Sequence, residues 1–167
     1  MAEKTSLKRS ARAVQDALDA AGVACVVEQL PDSTRRAKDA AKAIGCDIAQ
    51  IAKSILFVKQ SSGQTVMVIA SGVNRIDEGK VQLHLGEEIK QATPEQVRAA
   101  TGYAIGGVPP CGHVSELVIF LDEDLFALDS LWAAAGTPNA VFRILPAQLK
   151  RLTNGKVIDV AKNKTSE

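Results

Sequence analysis

Apolar positions recur along this chain at two spacings, one typical of helices and the other of strands. Leu7, Val14 and Leu18 share one helix face, and Gly22 stands where a left-handed cap would end that helix. Thr93-Pro94 begins another, because threonine caps a helix and proline fits its first position. The pattern predicts helices at residues 7–21, 37–44, 77–83, 93–100 and 146–152.

Short β-rich runs lie between these helices. Two of them flank the polar segment Gln60-Ser61-Ser62-Gly63, which predicts an antiparallel hairpin. The predicted strands lie at residues 23–28, 53–59, 65–70, 117–121, 140–144 and 157–160.

Several of these strands are joined by loops too short for a parallel crossover. We therefore expect an α/β (α+β) fold, with a curved, mixed, largely antiparallel sheet flanked by helices. A chain of 167 residues with 46% hydrophobic and 23% charged residues suits a single compact domain. We place that domain at residues 7–160, with polar tails at 1–6 and 161–167.

The charge balance limits how the protein can bind nucleic acid. Its 20 Lys+Arg and 19 Asp+Glu residues leave a formal charge of +1, which excludes a broad positive surface. Six aromatic residues are also too few for a base-stacking platform. Any RNA contact is expected to come from a local patch, such as residues 35–59 with six basic and two acidic side chains.

The sequence favours a cytoplasmic protein without membrane, metal or cofactor. The longest apolar runs are far shorter than the roughly 20 residues of a spanning helix, and the N-terminal segment lacks a signal-peptide core. Cys25, Cys46 and Cys111 are widely spaced, which fits neither a disulfide framework nor a zinc site. We expect three reduced thiols.

Residues 102–113 form a candidate binding loop with four glycines and two prolines. Glycine lets the backbone approach a ligand, and proline stiffens the loop, so its free N–H groups can point at a carbonyl or an anion. The alternative is a tight bend between strands.

Lys53 opens an otherwise apolar strand. Partly desolvated, its ammonium would be a fixed charge for a phosphate or for a developing oxyanion. The alternative is a lysine at a strand end whose ammonium reaches water.

Cys111 and His113 raise the question of a thiol nucleophile or a metal site. The other cysteines and His84 show no ligand spacing, and free cysteine is commonly a small buried residue. A Cys111 hydrolase remains a minor hypothesis.

Five segments resemble, in order, the YbaK/ProX family, which are free-standing relatives of the editing insertion domain of bacterial prolyl-tRNA synthetase. The resemblance spans residues 7–160 and rests on residues 40–45, 50–57, 71–72, 106–113 and 135–142. It implies that family's fold and a trans-editing hydrolase, which cleaves the ester bond of mischarged aminoacyl-tRNA. The implied substrate is tRNA(Pro) carrying a small non-cognate amino acid, bound by its acceptor end, with prolyl-tRNA synthetase as a partner.

The resemblance also implies roles for particular residues. Lys53 matches the family's essential lysine, and the loop matches the segment that positions the aminoacyl carbonyl. The family uses no protein nucleophile, because the 2′-hydroxyl of the terminal adenosine positions the attacking water. The expected substrate-binding residues are Ser71, Gly106, Gly107, Val108, Pro109, Pro110, His113 and Asn139.

The chain departs from the Cys-tRNA(Pro) deacylase branch of the family. That branch carries a tyrosine near Leu30 and an aspartate near Val141, and neither is present. The segment 137–140 resembles instead the branches that act on alanyl, 2-aminobutyryl, seryl or threonyl esters. The alternative function is a non-catalytic relative that binds acyl-tRNA or a synthetase.

Overall fold

The computed structural model describes residues 6–162, which contain eight strands with five α-helices interspersed among them. The strands are β1 (Val27–Gln29), β2 (Ile51–Lys59), β3 (Thr65–Ser71), β4 (Ile89–Gln91), β5 (Val118–Asp122), β6 (Leu131–Ala134), β7 (Ala140–Ile144) and β8 (Lys156–Ile158). The helices are α1 (Arg9–Ala20), α2 (Ala37–Ile44), α3 (Glu78–Leu85), α4 (Pro94–Thr101) and α5 (Pro146–Thr153). Two short 3₁₀ helices cover Ile48–Gln50 and Glu123–Ala127.

The five predicted helices are all present, and the start of α4 and the end of α2 follow the capping chemistry of the sequence. The Thr93 hydroxyl accepts from the Gln96 N–H at 3.1 Å, while the Gln96 side chain accepts from the Thr93 N–H at 2.9 Å. Gly45 ends α2 in the left-handed conformation with φ of 86°.

Two strands were not predicted, and one begins later than expected. β4 and β6 have three and four residues, and the alanines of β6 carry little strand preference. The prediction of a strand from residue 23 is wrong, because the Cys25 N–H donates to the Val23 carbonyl in a local turn and pairing with β7 starts at Val27.

All eight strands form one mixed sheet in the order β1-β7-β6-β2-β3-β5-β8, with β4 also paired to β2. The four antiparallel pairs are β1/β7, β2/β3, β2/β4 and β6/β7, and the three parallel pairs are β2/β6, β3/β5 and β5/β8. The predicted mixed sheet with an antiparallel majority is therefore confirmed.

Helices cover both faces of the sheet and bury its central strand. On one face α1, α4 and α5 pack against a core that includes Leu56, Ile69 and Phe142. On the other face α3 packs against Phe57 and its neighbours, and α2 packs against the start of β2. Every residue of β3 is buried as a result.

The feature that positions the functional site is a break in the sheet along one edge of β2. β6 pairs with β2 only at Ile51 and Ala52, and β4 pairs with it only from Phe57 to Lys59. Within residues 6–162, the four residues between them have no strand neighbour on that edge. We call the edge at residues 53–56 the sheet break.

The described part of the chain contains no helix that is both long and apolar enough to cross a bilayer. Its last residues remain attached to the fold, since Ala161 is buried and bridges to Ile76. The remainder of the two predicted tails, residues 1–5 and 163–167, lies outside the described residues.

Candidate active site

A cavity of about 340 Å³ opens at the sheet break. Its walls come from β2, from β6, from the segment before and within α2, and from the glycine-rich loop. Its volume lies at the small end of the range for ligand sites in proteins, roughly 300–1,000 Å³. The break thus gives a small ligand access to the interior of the sheet.

Most of the cavity wall is apolar. On the face of the sheet that carries the larger core, the wall is formed by Leu56, Ala92, Val97, Val108 and Ala133. This part of the cavity suits a small aliphatic group, because these five side chains carry no polar atom.

The polar part of the cavity carries positive charge. Lys53, Arg35 and Arg36 line it, and among the described lining residues there is no aspartate or glutamate. Cations at the mouth of an apolar cavity attract a phosphate group or a developing negative charge. The cavity therefore suits an anionic ligand with a small apolar part.

Two opposing effects act on the Lys53 ammonium. Burial lowers the pKa of Lys53, while the Asp122 carboxylate raises it and the Arg75 guanidinium lowers it. Asp122 is fully buried at the end of β5. It supplies the negative potential that opposes the desolvation of Lys53.

The Asp122 carboxylate is held by three N–H donors. Oδ2 accepts from the Ser71 backbone N–H at 3.0 Å and from the Asn74 side chain at 2.8 Å, and Oδ1 accepts from the Asp124 N–H at 2.9 Å. The Ser71 hydroxyl donates to the Ala49 carbonyl at 2.7 Å. Ser71 therefore lies behind the site and does not line the cavity.

The glycine-rich loop closes one side of the cavity, and two of its glycines are closely packed against neighbouring segments. Gly106 has a φ of 98°, and a Cβ on it would lie 2.6 Å from the Cγ of Arg35. A Cβ on Gly107 would lie 3.0 Å from backbone atoms of Gly136 and Thr137. Gly106 and Val108 line the cavity, whereas Gly107 supports the loop from behind.

His113 also lies behind the loop. Its Nε2 is 2.7 Å from the Pro109 carbonyl oxygen, and burial lowers the pKa of His113. The neutral ring donates this hydrogen bond and fixes the loop in place. Pro109, Pro110 and His113 are not among the residues that line the cavity.

Asn139 joins two segments next to the cavity without lining it. Its Nδ2 donates to the Leu30 carbonyl at 2.7 Å, and its Oδ1 accepts from the Thr137 hydroxyl at 3.0 Å. The Thr34 hydroxyl donates to the Pro138 carbonyl at 2.9 Å, and Thr34 does line the cavity. Asn139 thus helps to hold the segment that carries Arg35.

The structure argues against a reactive Cys111. Its thiol is buried beside Cys25, and burial raises the pKa of Cys111 to about 12. Such a thiol stays protonated at neutral pH and is a poor nucleophile. Within residues 6–162 there is also no group of three or more His, Cys, Asp or Glu side chains that could hold a metal.

Several lining residues escaped the sequence analysis. Arg35 and Arg36 were noted only as part of a basic stretch, although adjacent arginines before a predicted helix could have been singled out. Trp132 and Gln91 lie on the two unpredicted strands, so no pattern indicated them. Asp122 could have been noticed as a carboxylate that directly follows an apolar strand.

Comparisons with known proteins agree on one kind of domain. The family model described as "Aminoacyl-tRNA editing domain" matches residues 32–152. A solved structure described as a candidate trans-editing enzyme for prolyl-tRNA synthetase is 48% identical, with a TM-score of 0.89, and covers 95% of this chain and 100% of its own.

Two curated bacterial proteins are more distant relatives. The uncharacterized protein YwhH of Bacillus subtilis is 30% identical over 138 residues, which is 82% of this chain and 87% of the relative. EbsC of Enterococcus faecalis, named as a candidate Cys-tRNA(Pro)/Cys-tRNA(Cys) deacylase, is 25% identical over 125 residues, which is 74% of this chain and 76% of the relative.

Proposed function

Because the chain belongs to the aminoacyl-tRNA editing domain family, we propose that it is a trans-editing deacylase that hydrolyses the ester of mischarged aminoacyl-tRNA. The proposed substrate is tRNA(Pro) carrying a small non-cognate amino acid, and prolyl-tRNA synthetase is the proposed partner. The observation that carries the proposal is the small apolar cavity with Lys53 at its polar end.

Each part of the cavity has a role in this reaction. Lys53, Arg35 and Arg36 hold the phosphates of the terminal nucleotides and stabilise negative charge on the ester oxygens. The apolar wall receives the amino-acid side chain. The backbone at Gly106 and Val108 faces the cavity and positions the aminoacyl carbonyl.

The chemical step needs water and no protein nucleophile. Water adds to the ester carbonyl, the bond from the carbonyl carbon to the ribose oxygen breaks, and a proton from the water passes to that oxygen, which leaves as a hydroxyl while the amino acid is released. The 2′-hydroxyl of the terminal adenosine positions the water. The high pKa of Cys111 supports this route over a thiol ester.

The size of the cavity supports editing by exclusion. A synthetase discriminates only weakly between amino acids whose side chains differ by one methylene, so it misacylates some tRNA. A second, smaller site can then hydrolyse the misacylated tRNA. Leu56, Val97 and Val108 limit the room for a side chain here. Small aliphatic esters are therefore the expected substrates.

The test is a panel of tRNA(Pro) mischarged with Ala, 2-aminobutyrate, Ser, Thr or Cys. Lys53→Ala is expected to fold normally and to lose about 10²-fold in kcat/KM, as when one stabilising group of an oxyanion is removed. Lys59→Ala is the matched control, since Lys59 is on the same strand but pairs with Glu87 at 3.1 Å, outside the cavity lining.

Full hydrolysis by Lys53→Ala would disprove the assigned role of this lysine. A wild-type protein that binds acyl-tRNA in a salt-dependent way but cleaves no ester of the panel would favour the non-catalytic relative instead.

A further inference from the structure

The register of the sheet determines which backbone groups of β2 face the sheet break. β2 and β3 pair without a bulge from Ala52 to Val58, so successive residues of β2 point their N–H and C=O groups to alternate edges. The Leu56 carbonyl accepts from Ala92 next to β4, and the Gln60 N–H donates to Glu88. The backbone N–H and C=O groups of the even-numbered residues of β2 therefore point to the edge shared by β4 and β6. Ser54 is the even-numbered residue midway along the sheet break.

Neither neighbouring strand reaches Ser54. Pairing with β6 ends at Ala52 and Ala133, and the chain turns away after Ala134. Pairing with β4 ends at Phe57 and Gln91, apart from the single bond from Ala92. Within the described chain, the N–H and C=O of Ser54 thus have no partner in the ladder.

Unpaired backbone groups beside a cavity are costly unless a ligand or water satisfies them. A single amino-acid residue opposite Ser54 would satisfy both, because the two residues of a hydrogen-bonded antiparallel pair exchange two N–H···O bonds. The proposed substrate carries such a residue, with an amino group as donor and an ester carbonyl as acceptor.

We infer that the aminoacyl group of the substrate completes the sheet at Ser54. Its α-ammonium donates to the Ser54 carbonyl, and its ester carbonyl accepts from the Ser54 N–H. This inference rests on the proposed deacylase function and adds a recognition site to it. It also gives the α-ammonium an acceptor in a cavity whose described lining offers no carboxylate.

The rest of the substrate follows from this register. In an antiparallel pair the substrate carbonyl lies beside the Ser54 N–H, which is at the Lys53 side of Ser54. The ester oxygen and the ribose that follow this carbonyl therefore extend toward Lys53. Side chains opposite each other share a face of the sheet, so the amino-acid side chain enters the wall that contains Leu56, Val97 and Val108. One pair of hydrogen bonds thus directs the phosphates to the cation and the side chain to the apolar wall.

A backbone substitution tests the inference without changing any side chain. Replacing Ser54 by its α-hydroxy acid counterpart exchanges the N–H for an oxygen. We expect alanyl-tRNA(Pro) hydrolysis to fall about 10²-fold in kcat/KM, because the lost donor faces the developing oxyanion. The urea midpoint should shift only slightly, since this N–H has no ladder partner among residues 6–162.

The matched control is the same substitution at Val58, whose N–H faces β4 within the paired stretch. In each variant the carbonyl of the preceding residue, 53 or 57, becomes an ester carbonyl and accepts more weakly from β3. This loss is common to both variants, so it cancels when they are compared. The Val58 variant should show the larger fall in urea midpoint and keep wild-type kcat/KM. Wild-type activity of the Ser54 variant would overturn the inference.

A change in the substrate provides a second test that does not depend on folding. The wild-type protein is given alanyl-tRNA(Pro) and its propionyl counterpart, which lacks the α-amino group, and each rate is divided by that ester's spontaneous hydrolysis rate. We expect the ratio to fall at least tenfold without the amino group, and equal ratios would overturn the inference. If no ester of the mischarged panel is hydrolysed, the proposed function fails; if alanyl-tRNA is hydrolysed and these differences are absent, only the inference fails.

Discussion

At the scale of single residues, the candidate site depends on a carboxylate that does not line its cavity. Lys53 is half-buried; burial lowers its pKa, and the buried Asp122 carboxylate opposes this effect. Asp122 is itself held by the N–H groups of Ser71, Asn74 and Asp124. Ser71, expected to contact substrate, is thereby proposed to position the carboxylate that raises the pKa of Lys53.

Asp122→Asn is predicted to move the pH dependence of the reaction. Asp122 raises the pKa of Lys53, so its neutralisation lowers that pKa further and Lys53 loses its proton at a lower pH. The alkaline limb of kcat/KM should therefore shift to lower pH in a pH–rate profile of the variant. Asp159→Asn is the control, because Asp159 pairs with Lys80 at 2.8 Å outside the cavity lining. An unchanged alkaline limb in Asp122→Asn would contradict the role given to this carboxylate.

At the scale of elements, the glycine-rich loop and the turn at residues 136–139 form one wall by direct backbone contact. The Gly136 N–H donates to the Gly107 carbonyl at 2.8 Å, and a Cβ on Gly107 would lie 3.0 Å from backbone atoms of that turn. His113 fixes the loop from the other side through the Pro109 carbonyl. The residues behind the loop thus determine where Gly106 and Val108 stand in the cavity.

Gly107→Ala is predicted to reduce activity more than its effect on stability alone explains. The added methyl pushes the loop away from Gly136, at a cost of about 1–3 kcal/mol in the free energy of unfolding. Gly63→Ala is a control in the β2–β3 hairpin, where a Cβ meets nothing and only a φ of 78° costs about 1 kcal/mol. Urea unfolding and deacylation are measured for both. A Gly107→Ala protein as active as Gly63→Ala would show that the loop position is unimportant.

The sequence indicated the local parts of this site and missed the parts that depend on pairing between distant segments. Lys53 stands out as a charge in an apolar strand, and residues 102–113 stand out by their density of glycine and proline. The resemblance to the YbaK/ProX family is confirmed by the family match over residues 32–152. The sheet break could not be predicted, because it depends on where β4 and β6 leave β2, and both strands are too short for a sequence pattern.

At the scale of the whole molecule, a formal charge of +1 provides no broad attraction for RNA, and the cations at the cavity mouth are the proposed local contact. With Lys53, Arg35 and Arg36 each on one phosphate of the single-stranded acceptor end, the slope of log K against log salt is expected to be roughly −2. The double variant Arg35→Gln/Arg36→Gln should reduce it to roughly −0.7. Binding titrations at several salt concentrations measure both slopes.

The control for this prediction is Lys150→Gln/Arg151→Gln, which removes two exposed charges of α5 outside the cavity lining. Its salt slope should equal that of the wild type. An equal reduction in both double variants would mean that tRNA is held by the overall charge of the protein.

The sheet break also affects how the chain is made. β2 is complete soon after Lys59 leaves the ribosome, but its β6 partner begins only at Leu131. Until then the edge at Ile51 and Ala52 is unpaired, and an open edge of a strand is a template for aggregation. The growing chain therefore has to keep this edge of β2 from pairing with other chains during synthesis. In the finished protein the same edge stays partly open at the sheet break.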